Sequence, residues 1–287
     1  MIRIEPTGQA CGAVVTGVDF RQQPSDDLIA ELRATWLDHN VLVFPDQKLA
    51  DDQFERFAES FGPIGDDPFL AAMDGKRRIA AIQRRADETG RIFADVWHSD
   101  WSFQANPPAG TCLLSITVPP TGGDTLFSNQ HKALDEMPDS LRDRIENRMG
   151  LHSARNAYGE DGYYADEDRK GAMAIVTSGE AHSVGQHPLV RPHPESGRMG
   201  ICGGSYVVGI DGVDAAESRE ILQELYRWQS RPEFIYTHKW TPDMLVLWDN
   251  RSVLHKATGG FEGHARLLHR LTIANDASYY SSAHRAA

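Results

Sequence analysis

The sequence contains little cysteine, and its cysteines are poorly placed for disulfides or metal sites. Only three occur among 287 residues, Cys11, Cys112 and Cys202, and no two of them form a C-x-x-C pair. A disulfide framework, or a structural zinc site built from thiolates, needs more cysteines at closer spacing. The absence of both features favours a protein of the reducing cytoplasm, which is the location we expect.

Long apolar runs and an excess of positive charge are also missing. No run approaches the roughly 20 apolar residues of a membrane-spanning helix, and the N-terminus lacks a basic and then apolar leader. With 29 basic and 41 acidic residues the formal net charge is -12, so the chain lacks the basic face that attracts nucleic acid or an anionic membrane. We expect a soluble, unprocessed protein with no nucleic-acid or membrane partner, in which a few local arginines bind any anionic ligand.

What the sequence does contain is a series of short strands behind an N-terminal helical region. Amphipathic helices are predicted over 26–39 and 51–61, where apolar residues recur at helical spacing. After about residue 90, β-branched runs alternate with Pro and Gly, which is typical of a sandwich or jelly roll. The predicted fold class is mainly β with flanking helices (α+β), with a double-stranded β-helix (jelly roll) core, in a single domain over 1–287.

The boundaries of the other predicted elements follow from the same patterns. Strands are predicted over 41–44, 111–118, 188–191, 199–202, 206–210, 244–248 and 266–274, and further helices over 140–149 and 215–228. Residues 153–185 have no sustained period and are rich in Gly, Tyr, Ser and charge. We expect this stretch to bury no continuous face, and to be either an exposed insertion or a lid over an active site.

The first candidate for chemistry is the triplet His98-Ser99-Asp100. In an extended strand, residues two apart project on the same face, so His98 and Asp100 can point at one metal ion. The flanking Trp97, Ser99 and Trp101 would then face away. A hydrogen-bonded surface pair more often explains such a triplet, so a metal site requires a third ligand from elsewhere.

His255 is the candidate for that third ligand. It follows an apolar strand and the turn-forming pair Asp249-Asn250. Two imidazoles and one carboxylate leave three coordination positions open, which is the arrangement expected of non-haem Fe(II) oxygenases. Structural zinc would instead take four protein ligands. The pattern therefore indicates a mononuclear iron site that can bind O2.

Two arginines, Arg266 and Arg270, lie on one face of the last predicted strand together with Leu268 and Thr272. If that face is internal, each guanidinium needs a carboxylate or a similar oxyanion, preferably held through two hydrogen bonds. An internal salt bridge or simple exposure to solvent is the alternative explanation.

Several motifs in order along nearly the whole chain carry a resemblance. They are Gly12-Ala13 to Thr16-Gly17-Val18, Trp97-His98-Ser99-Asp100, Pro107-Pro108-Ala109-Gly110, Gly122-Gly123-Asp124-Thr125, His187-Pro188-Leu189-Val190-Arg191, His193-Pro194-Glu195, and Trp248-Asp249-Asn250-Arg251 through His255 to Arg270. Together they make the sequence resemble the taurine dioxygenase and 2,4-dichlorophenoxyacetate dioxygenase (TauD/TfdA) family of Fe(II)/2-oxoglutarate-dependent oxygenases.

The resemblance implies an iron site made by His98, Asp100 and His255. It also implies that Fe(II), 2-oxoglutarate and O2 are the cofactor and co-substrates, and that 2-oxoglutarate is converted to succinate and CO2. The expected reaction is hydroxylation of a small organic, anionic substrate, often next to a heteroatom, with cleavage of a C–S, C–O or C–N bond. A homo-oligomer, either a dimer or a tetramer, is expected as well.

The resemblance also assigns the two arginines. The arginine eleven residues past the distal histidine, Arg266, pairs in the family with the far carboxylate of 2-oxoglutarate, helped by Thr125. The arginine fifteen residues past it, Arg270, lies near the co-substrate and the anionic group of the primary substrate. The remaining histidines, such as His187 and His193, are expected to be structural.

The substrate is less well defined. In the taurine enzyme an imidazole shortly after the second helix helps to bind the sulfonate, but the segment after Phe61-Gly62 has no histidine, so taurine is not expected. If Asp66, Asp67 and nearby aromatic residues line the pocket, they suggest a larger or partly aromatic anion, with or without a cationic amine. The alternative is that they are turn residues and core aromatics. The alternatives from other classes are a jelly-roll metal- or ligand-binding protein without turnover, and a metallohydrolase.

Overall fold

The computed structural model describes residues 2–76 and 78–278, which form six α-helices, fifteen strands and four short 3-10 helices. The α-helices are α1 Asp26–His39, α2 Asp51–Phe61, α3 Gln130–Asp135, α4 Asp139–Ile145, α5 Arg155–Tyr158 and α6 Ala215–Gln229. The 3-10 helices are Tyr163–Ala165, Glu167–Arg169, Gly179–His182 and Pro232–Phe234. Among these described helices, none is long and apolar enough to cross a bilayer.

The strands are β1 Arg3–Pro6, β2 Ala13–Thr16, β3 Val41–Phe44, β4 Ala80–Arg84, β5 Gly110–Thr117, β6 Thr125–Asn129, β7 Met149–His152, β8 Gly185–Pro188, β9 Val190–Pro192, β10 Met199–Ile201, β11 Val207–Ile210, β12 Ile235–His238, β13 Leu245–Asp249, β14 Val253–Ala257 and β15 Arg266–Ile273. A seven-stranded sheet has the order β1-β2-β3-β13-β5-β15-β4. Smaller sheets are β12-β6-β14, β11-β7-β8 and β10-β9. Strands from both ends of the chain therefore meet in one sheet, and the predicted mainly β class with flanking helices is confirmed.

Helices α1 and α2 cover one face of the large sheet. Trp36 of α1 and Phe57 and Phe61 of α2 are buried in one apolar cluster with Leu247 and Ile273 of the sheet. Fully burying an aromatic side chain of this kind contributes about 1.5–3 kcal/mol to folding. Packing of the aromatic stripe against the sheet therefore stabilises the helix that the amphipathic pattern predicts. Both helices have the predicted bounds.

The other face of the same sheet lies inside the barrel. Successive residues of a strand point to opposite faces, so Leu271 and Ile273 of β15 join the helical layer while Leu268 packs inside with Trp248. Arg266 and Arg270 share the inner face with Leu268 and are both buried. A slip of one residue would move both guanidinium groups to the helical layer, so the register of β15 positions them.

A buried ion network joins the helical layer to the barrel. Arg33 of α1 pairs with Glu195 at 2.7 Å, Glu195 with Arg251 at 2.6 Å, and Arg251 with Asp249 at 2.7 Å. The Nε2 atom of His193 lies 3.0 Å from the Oδ2 atom of the same aspartate. The network fixes the turn after β13, from which the strand of His255 begins, and it gives His193 the structural role that was expected.

Some predicted elements were wrong in detail. Residues around 98–103 are not an extended strand: His98 forms an isolated bridge, and the chain turns from Asp100 onward with Trp101 at φ 47°. The helix predicted over 140–149 ends at Ile145, because Asn147 adopts a left-handed conformation with φ 60° and β7 follows. The strand predicted over 188–191 is interrupted at Leu189.

The stretch 153–185 is more ordered than its composition indicates. It contains α5 and three of the 3-10 helices, and it buries Tyr158, Met173 and Ile175 against Phe69 and its neighbours. The expectation that it buries no continuous face was therefore wrong. Its aromatic and apolar residues are spaced irregularly, so no helical or strand period revealed the common surface that they form.

Candidate metal centre and adjoining cavities

Three donor side chains meet inside the barrel. The metal-binding atoms of His98, Asp100 and His255 all lie within 4.8 Å of one another, and all three residues are buried. The Nε2 atoms of His98 and His255 lie 3.8 and 3.7 Å from Asp100 Oδ1. These residues come from segments far apart in the sequence, so the structure brings together the three ligands that the sequence indicates.

Backbone hydrogen bonds set the distance between the two histidines. The amide of His98 donates to the carbonyl of His255 at 3.1 Å, and the amide of His255 donates back to His98 at 2.8 Å. Their rings lie with centroids 4.2 Å apart. Asp100 enters from the turn that follows His98 rather than from the same strand face.

His98 is held in the tautomer that can bind a metal, whereas Nδ1 of His255 has no hydrogen-bond partner among the described residues. His98 Nδ1 lies 2.8 Å from the carbonyl of Val96, so it carries the proton and leaves the Nε2 lone pair directed at the centre. Burial lowers the pKa of His98, and burial followed by the nearby His98 ring lowers the pKa of His255 well below its usual value. Both pKa shifts favour the neutral imidazole, which is the form that binds a metal.

Asp100 is held as a carboxylate by several donors. Burial opposes its ionisation, but Arg270 and then the two imidazoles outweigh burial and hold its pKa well below the usual range. Thr111 Oγ1 donates to Asp100 Oδ2 at 2.7 Å, and Arg270 donates to the same oxygen at 3.2 Å. The Oδ1 atom, which faces the histidines, lies 3.1 Å from Arg270 Nη2.

The residues that orient Asp100 were missed in the sequence. Asn250 Nδ2 donates to Thr111 Oγ1 at 2.9 Å, and the Asn250 carbonyl accepts from Ser99 at 2.6 Å. Trp248 Nε1 fixes the Asn250 amide by donating to its Oδ1 at 2.9 Å. Asn250 was recognised only as a turn former. Its place between a buried strand and the distal histidine was the available signal.

Arg266 is a buried cation whose nearest compensating charge is Asp124, with which it forms no hydrogen bond among the described residues. In the described part of the chain its Nε atom has no hydrogen-bond acceptor, and burial lowers its pKa to about 10, at which it still carries its charge near neutral pH. Thr125 Oγ1 accepts from Trp240 Nε1 at 3.0 Å, so its own proton is free to be donated elsewhere. Gly123, at φ +69°, brings the backbone close to the Arg266 side chain, where a Cβ would lie 3.3 Å from Nε.

Arg270 is in the opposite situation. Its Nε and Nη2 atoms donate to Asp67 Oδ1 at 3.2 and 3.1 Å, in addition to the contacts with Asp100. Asp67 also accepts from Trp101 Nε1 at 2.6 Å, so Trp101 faces the site and not away from it as its sequence position suggested. The alternative of an internal salt bridge is therefore correct for Arg270 and incorrect for Arg266 among the described residues.

A small cavity of about 40 Å³ contains all six predicted site residues in its wall, namely His98, Asp100, Thr125, His255, Arg266 and Arg270. A second cavity of about 280 Å³ shares His98, Tyr158 and Tyr206 with the first. Its other walls include Tyr163 and Tyr164. A larger groove of about 880 Å³ between α6 and β11 includes none of the six, so cavity size does not identify the site.

The donor set fits Fe(II). Two neutral imidazole nitrogens and one carboxylate oxygen suit a borderline divalent metal and leave part of its coordination sphere open toward the cavity. The unpaired Arg266 guanidinium, across the same cavity, suits the far carboxylate of a dicarboxylic acid that chelates the metal. Both halves of a site for iron and 2-oxoglutarate are thus present in this chain.

Comparisons with known proteins agree with this geometry. The family model described as "Taurine catabolism dioxygenase TauD, TfdA family" matches residues 3–272. The (S)-phenoxypropionate/alpha-ketoglutarate-dioxygenase of Sphingobium herbicidovorans is 32% identical over 95% of this chain and 95% of its own. The alpha-ketoglutarate-dependent 2,4-dichlorophenoxyacetate dioxygenase of Cupriavidus pinatubonensis is 33% identical over 92% and 95%.

A solved structure gives the same result for the fold. The crystal structure of AAD-2 in complex with Mn(II) and N-oxalylglycine aligns with a TM-score of 0.82 at 26% identity, covering 96% of this chain and 98% of that one. The jelly-roll fold that the sequence predicts is confirmed.

Proposed function

We propose a substrate and a set of residue roles for this chain from the premise that it belongs to the TauD, TfdA family of Fe(II)- and 2-oxoglutarate-dependent dioxygenases. It is an enzyme, and the alternatives of a binding protein without turnover and of a metallohydrolase are excluded. When bound, Fe(II), 2-oxoglutarate and O2 supply the oxidation, in which 2-oxoglutarate becomes succinate and CO2 while a substrate C–H bond is hydroxylated.

His98, Asp100 and His255 hold the iron in this proposal. The main support for this proposal is that the three donor atoms lie close together in the wall of a buried cavity. The wall of the same cavity includes Arg266, whose Nε atom has no hydrogen-bond partner among the described residues. Arg266 and Thr125 bind the far carboxylate of 2-oxoglutarate, Arg266 by its charge and Thr125 by its free hydroxyl proton. Thr111 and Asn250 hold the Asp100 carboxylate in place, so its geometry does not depend on the metal.

The primary substrate is an aryloxyalkanoate or a similar small anion with an aromatic part. The names of two relatives specify phenoxypropionate and 2,4-dichlorophenoxyacetate. The tyrosine-lined cavity of about 280 Å³ includes His98 in its wall and is large enough for one aromatic ring. Arg270, in the wall of the small cavity that holds the metal ligands, is the cation for the substrate carboxylate. The reacting carbon then lies between that carboxylate and the ether oxygen.

The full chain should form succinate when supplied with Fe(II), 2-oxoglutarate, O2 and phenoxyacetate. It should also release phenol and glyoxylate, because hydroxylation of the ether carbon gives a hemiacetal that collapses with cleavage of the C–O bond. A panel of aryloxyalkanoates, sulfate esters, sulfonates and amino-acid derivatives is compared by the rate of succinate formation, with a sample lacking O2 as control. Faster turnover of sulfonates or amino acids than of aryloxyalkanoates would reject the substrate class. Succinate formation that no compound stimulates would leave the proposal without support.

Residues 153–185 act as a lid over this site. Tyr158, Tyr163 and Tyr164 of this stretch line the cavity of about 280 Å³, and Tyr158 stacks on Phe69 with ring centroids 4.8 Å apart. A cover that excludes water protects reactive species during oxidation, and such covers usually have low local stability.

Hydrogen exchange of this stretch should slow when Fe(II), 2-oxoglutarate and the substrate are bound together without O2. The exchange of α6, which does not line either cavity beside the metal ligands, serves as the internal control. Full protection in the ligand-free protein, or identical exchange with and without ligands, would show that the stretch is not a lid.

The protein works in the cytoplasm as a homodimer or a homotetramer in this proposal. The three cysteines are free and buried, which supports a reducing compartment such as the cytoplasm. A homodimer or homotetramer is measurable as the mass of the particle in solution. The large sheet, which combines β1 with β15, supports the single domain over 1–287.

A further inference from the structure

Every nitrogen of the Arg270 guanidinium already faces a carboxylate of this chain. Nε and Nη2 donate to Asp67 Oδ1, and Nη1 and Nη2 lie within 3.2 Å of the two Asp100 oxygens. The side chains of Asp67, Asp100 and Arg270 are exposed by only 8%, 5% and 5%. A substrate anion that approaches Arg270 therefore has to compete with an internal anion.

Asp67 is the carboxylate that can leave. Asp100 is fixed by Thr111 and is the proposed metal ligand, so its displacement would dismantle the centre. Asp67 lies in the segment between α2 and β4, where its neighbours Asp66 and Pro68 are exposed to solvent. A small movement of this segment would place the Asp67 carboxylate in water.

We propose that Asp67 is a specificity-determining residue that occupies Arg270 in the substrate-free enzyme and is displaced by the substrate anion. This inference rests on the proposed function, because it concerns the anionic end of the same substrate. With Asp67 in place the charge of Arg270 is compensated, and a second carboxylate would be a buried charge without a partner, which is costly. When Asp67 leaves, the substrate carboxylate restores the balance of charge.

Displacement of Asp67 would also affect the proposed lid, residues 153–185. The Ala71 amide donates to the carbonyl of Ala174 at 2.9 Å, and the Val176 amide donates to the carbonyl of Phe69 at 3.0 Å. The segment that carries Asp67 is thus hydrogen-bonded to residues 174–176 of the proposed lid. Binding of the anion at Arg270 would be transmitted to the lid through these backbone bonds.

Competition between Asp67 and the substrate for Arg270 should affect anions and neutral analogues differently. The apparent affinity of an anion falls in proportion to the fraction of molecules in which Arg270 is free of Asp67. A neutral analogue does not need Arg270, so its affinity does not change. Asp67 therefore lowers the affinity of every anion by the same factor, and it sets the affinity of anions relative to that of neutral analogues.

The test compares Asp67→Asn with wild type and with Asp66→Asn, which removes the same charge from the adjacent exposed residue. The asparagine keeps an oxygen that can accept from Trp101 and from Arg270. Binding of phenoxyacetate and of its neutral isostere phenoxyacetamide is measured by calorimetry on the full chain loaded with Mn(II) and N-oxalylglycine. Phenoxyacetate should bind Asp67→Asn about tenfold or more tightly than wild type, with no change for phenoxyacetamide or in Asp66→Asn.

Unchanged or weaker phenoxyacetate binding by Asp67→Asn overturns the proposal, as does an equal gain for phenoxyacetamide. Asp67→Ser, a second way to remove the charge, is measured alongside, and its result decides if the asparagine variant does not fold. Binding is read without turnover. A protein that binds phenoxyacetate as expected but forms no succinate with it would therefore reject the proposed substrate while leaving the role of Asp67 intact.

Discussion

Replacing Asp100 or His255 with alanine should abolish succinate formation while the protein remains folded. Changing a residue that only orients a metal ligand typically costs 10–100-fold in metal affinity or activity, and loss of a ligand itself should cost at least about 100-fold. The fold should survive Asp100→Ala because Arg270 keeps its contacts with Asp67 and is not left as an unpaired buried charge. The measurements are succinate formation, bound iron per chain and the thermal unfolding midpoint.

His264→Ala is the matched control for the histidine variant. His264 lies nine residues past His255, and it is exposed to solvent. Its replacement should leave iron content and activity unchanged. Near wild-type activity in Asp100→Ala or His255→Ala would falsify the assignment of the three ligands, whatever the midpoint of unfolding.

Arg266→Ala should raise the KM for 2-oxoglutarate far more than it lowers stability. Removing one partner of a buried charge pair typically costs about 2–5 kcal/mol, which corresponds to roughly 30- to 4,000-fold in affinity. The ligand-free protein should not be destabilised, because Arg266 Nε has no partner among the described residues and burying an unpaired cation costs free energy. This combination separates a ligand-binding arginine from a structural one.

Two further variants refine the test of Arg266. Arg266→Lys keeps the charge but loses the planar pair of donors, so its KM for 2-oxoglutarate should lie between those of wild type and Arg266→Ala. Arg85→Ala removes an exposed arginine near the start of β15 and should change neither quantity. An unchanged KM in Arg266→Ala, with a lowered unfolding midpoint, would assign that arginine to structure.

The parts of the fold that were predictable are those where one periodic pattern decides the packing. The aromatic residues of α2 recur at helical spacing, and Ser25 provides the N-cap from which α1 starts, with its Oγ accepting from the Leu28 amide at 3.2 Å. Strands such as β6 and β14 escaped prediction because both are short and mix polar with apolar residues. Their identity depends on pairing with each other, which no local pattern expresses.

The same division applies to the site. The three proposed metal ligands and the two arginines lie in short motifs that the family resemblance covers, so the sequence was sufficient to identify them as candidates. The occupation of Arg270 by Asp67 was not predictable, because these residues are 203 positions apart and only the fold brings them together. The turn at Trp101 was missed for a related reason, since its indole bonds to the same distant carboxylate.

The mutual backbone hydrogen bonds of His98 and His255 have a consequence for which metal the enzyme contains. They make the separation of the two imidazoles a property of the backbone, so we expect that the site does not adjust its size to favour one divalent ion. Affinity of such a nitrogen and oxygen site then follows the general order in which Zn(II) and Cu(II) bind more tightly than Fe(II). The cell must secure iron loading by supply, and trace zinc should silence the purified enzyme by replacing iron without disturbing the fold.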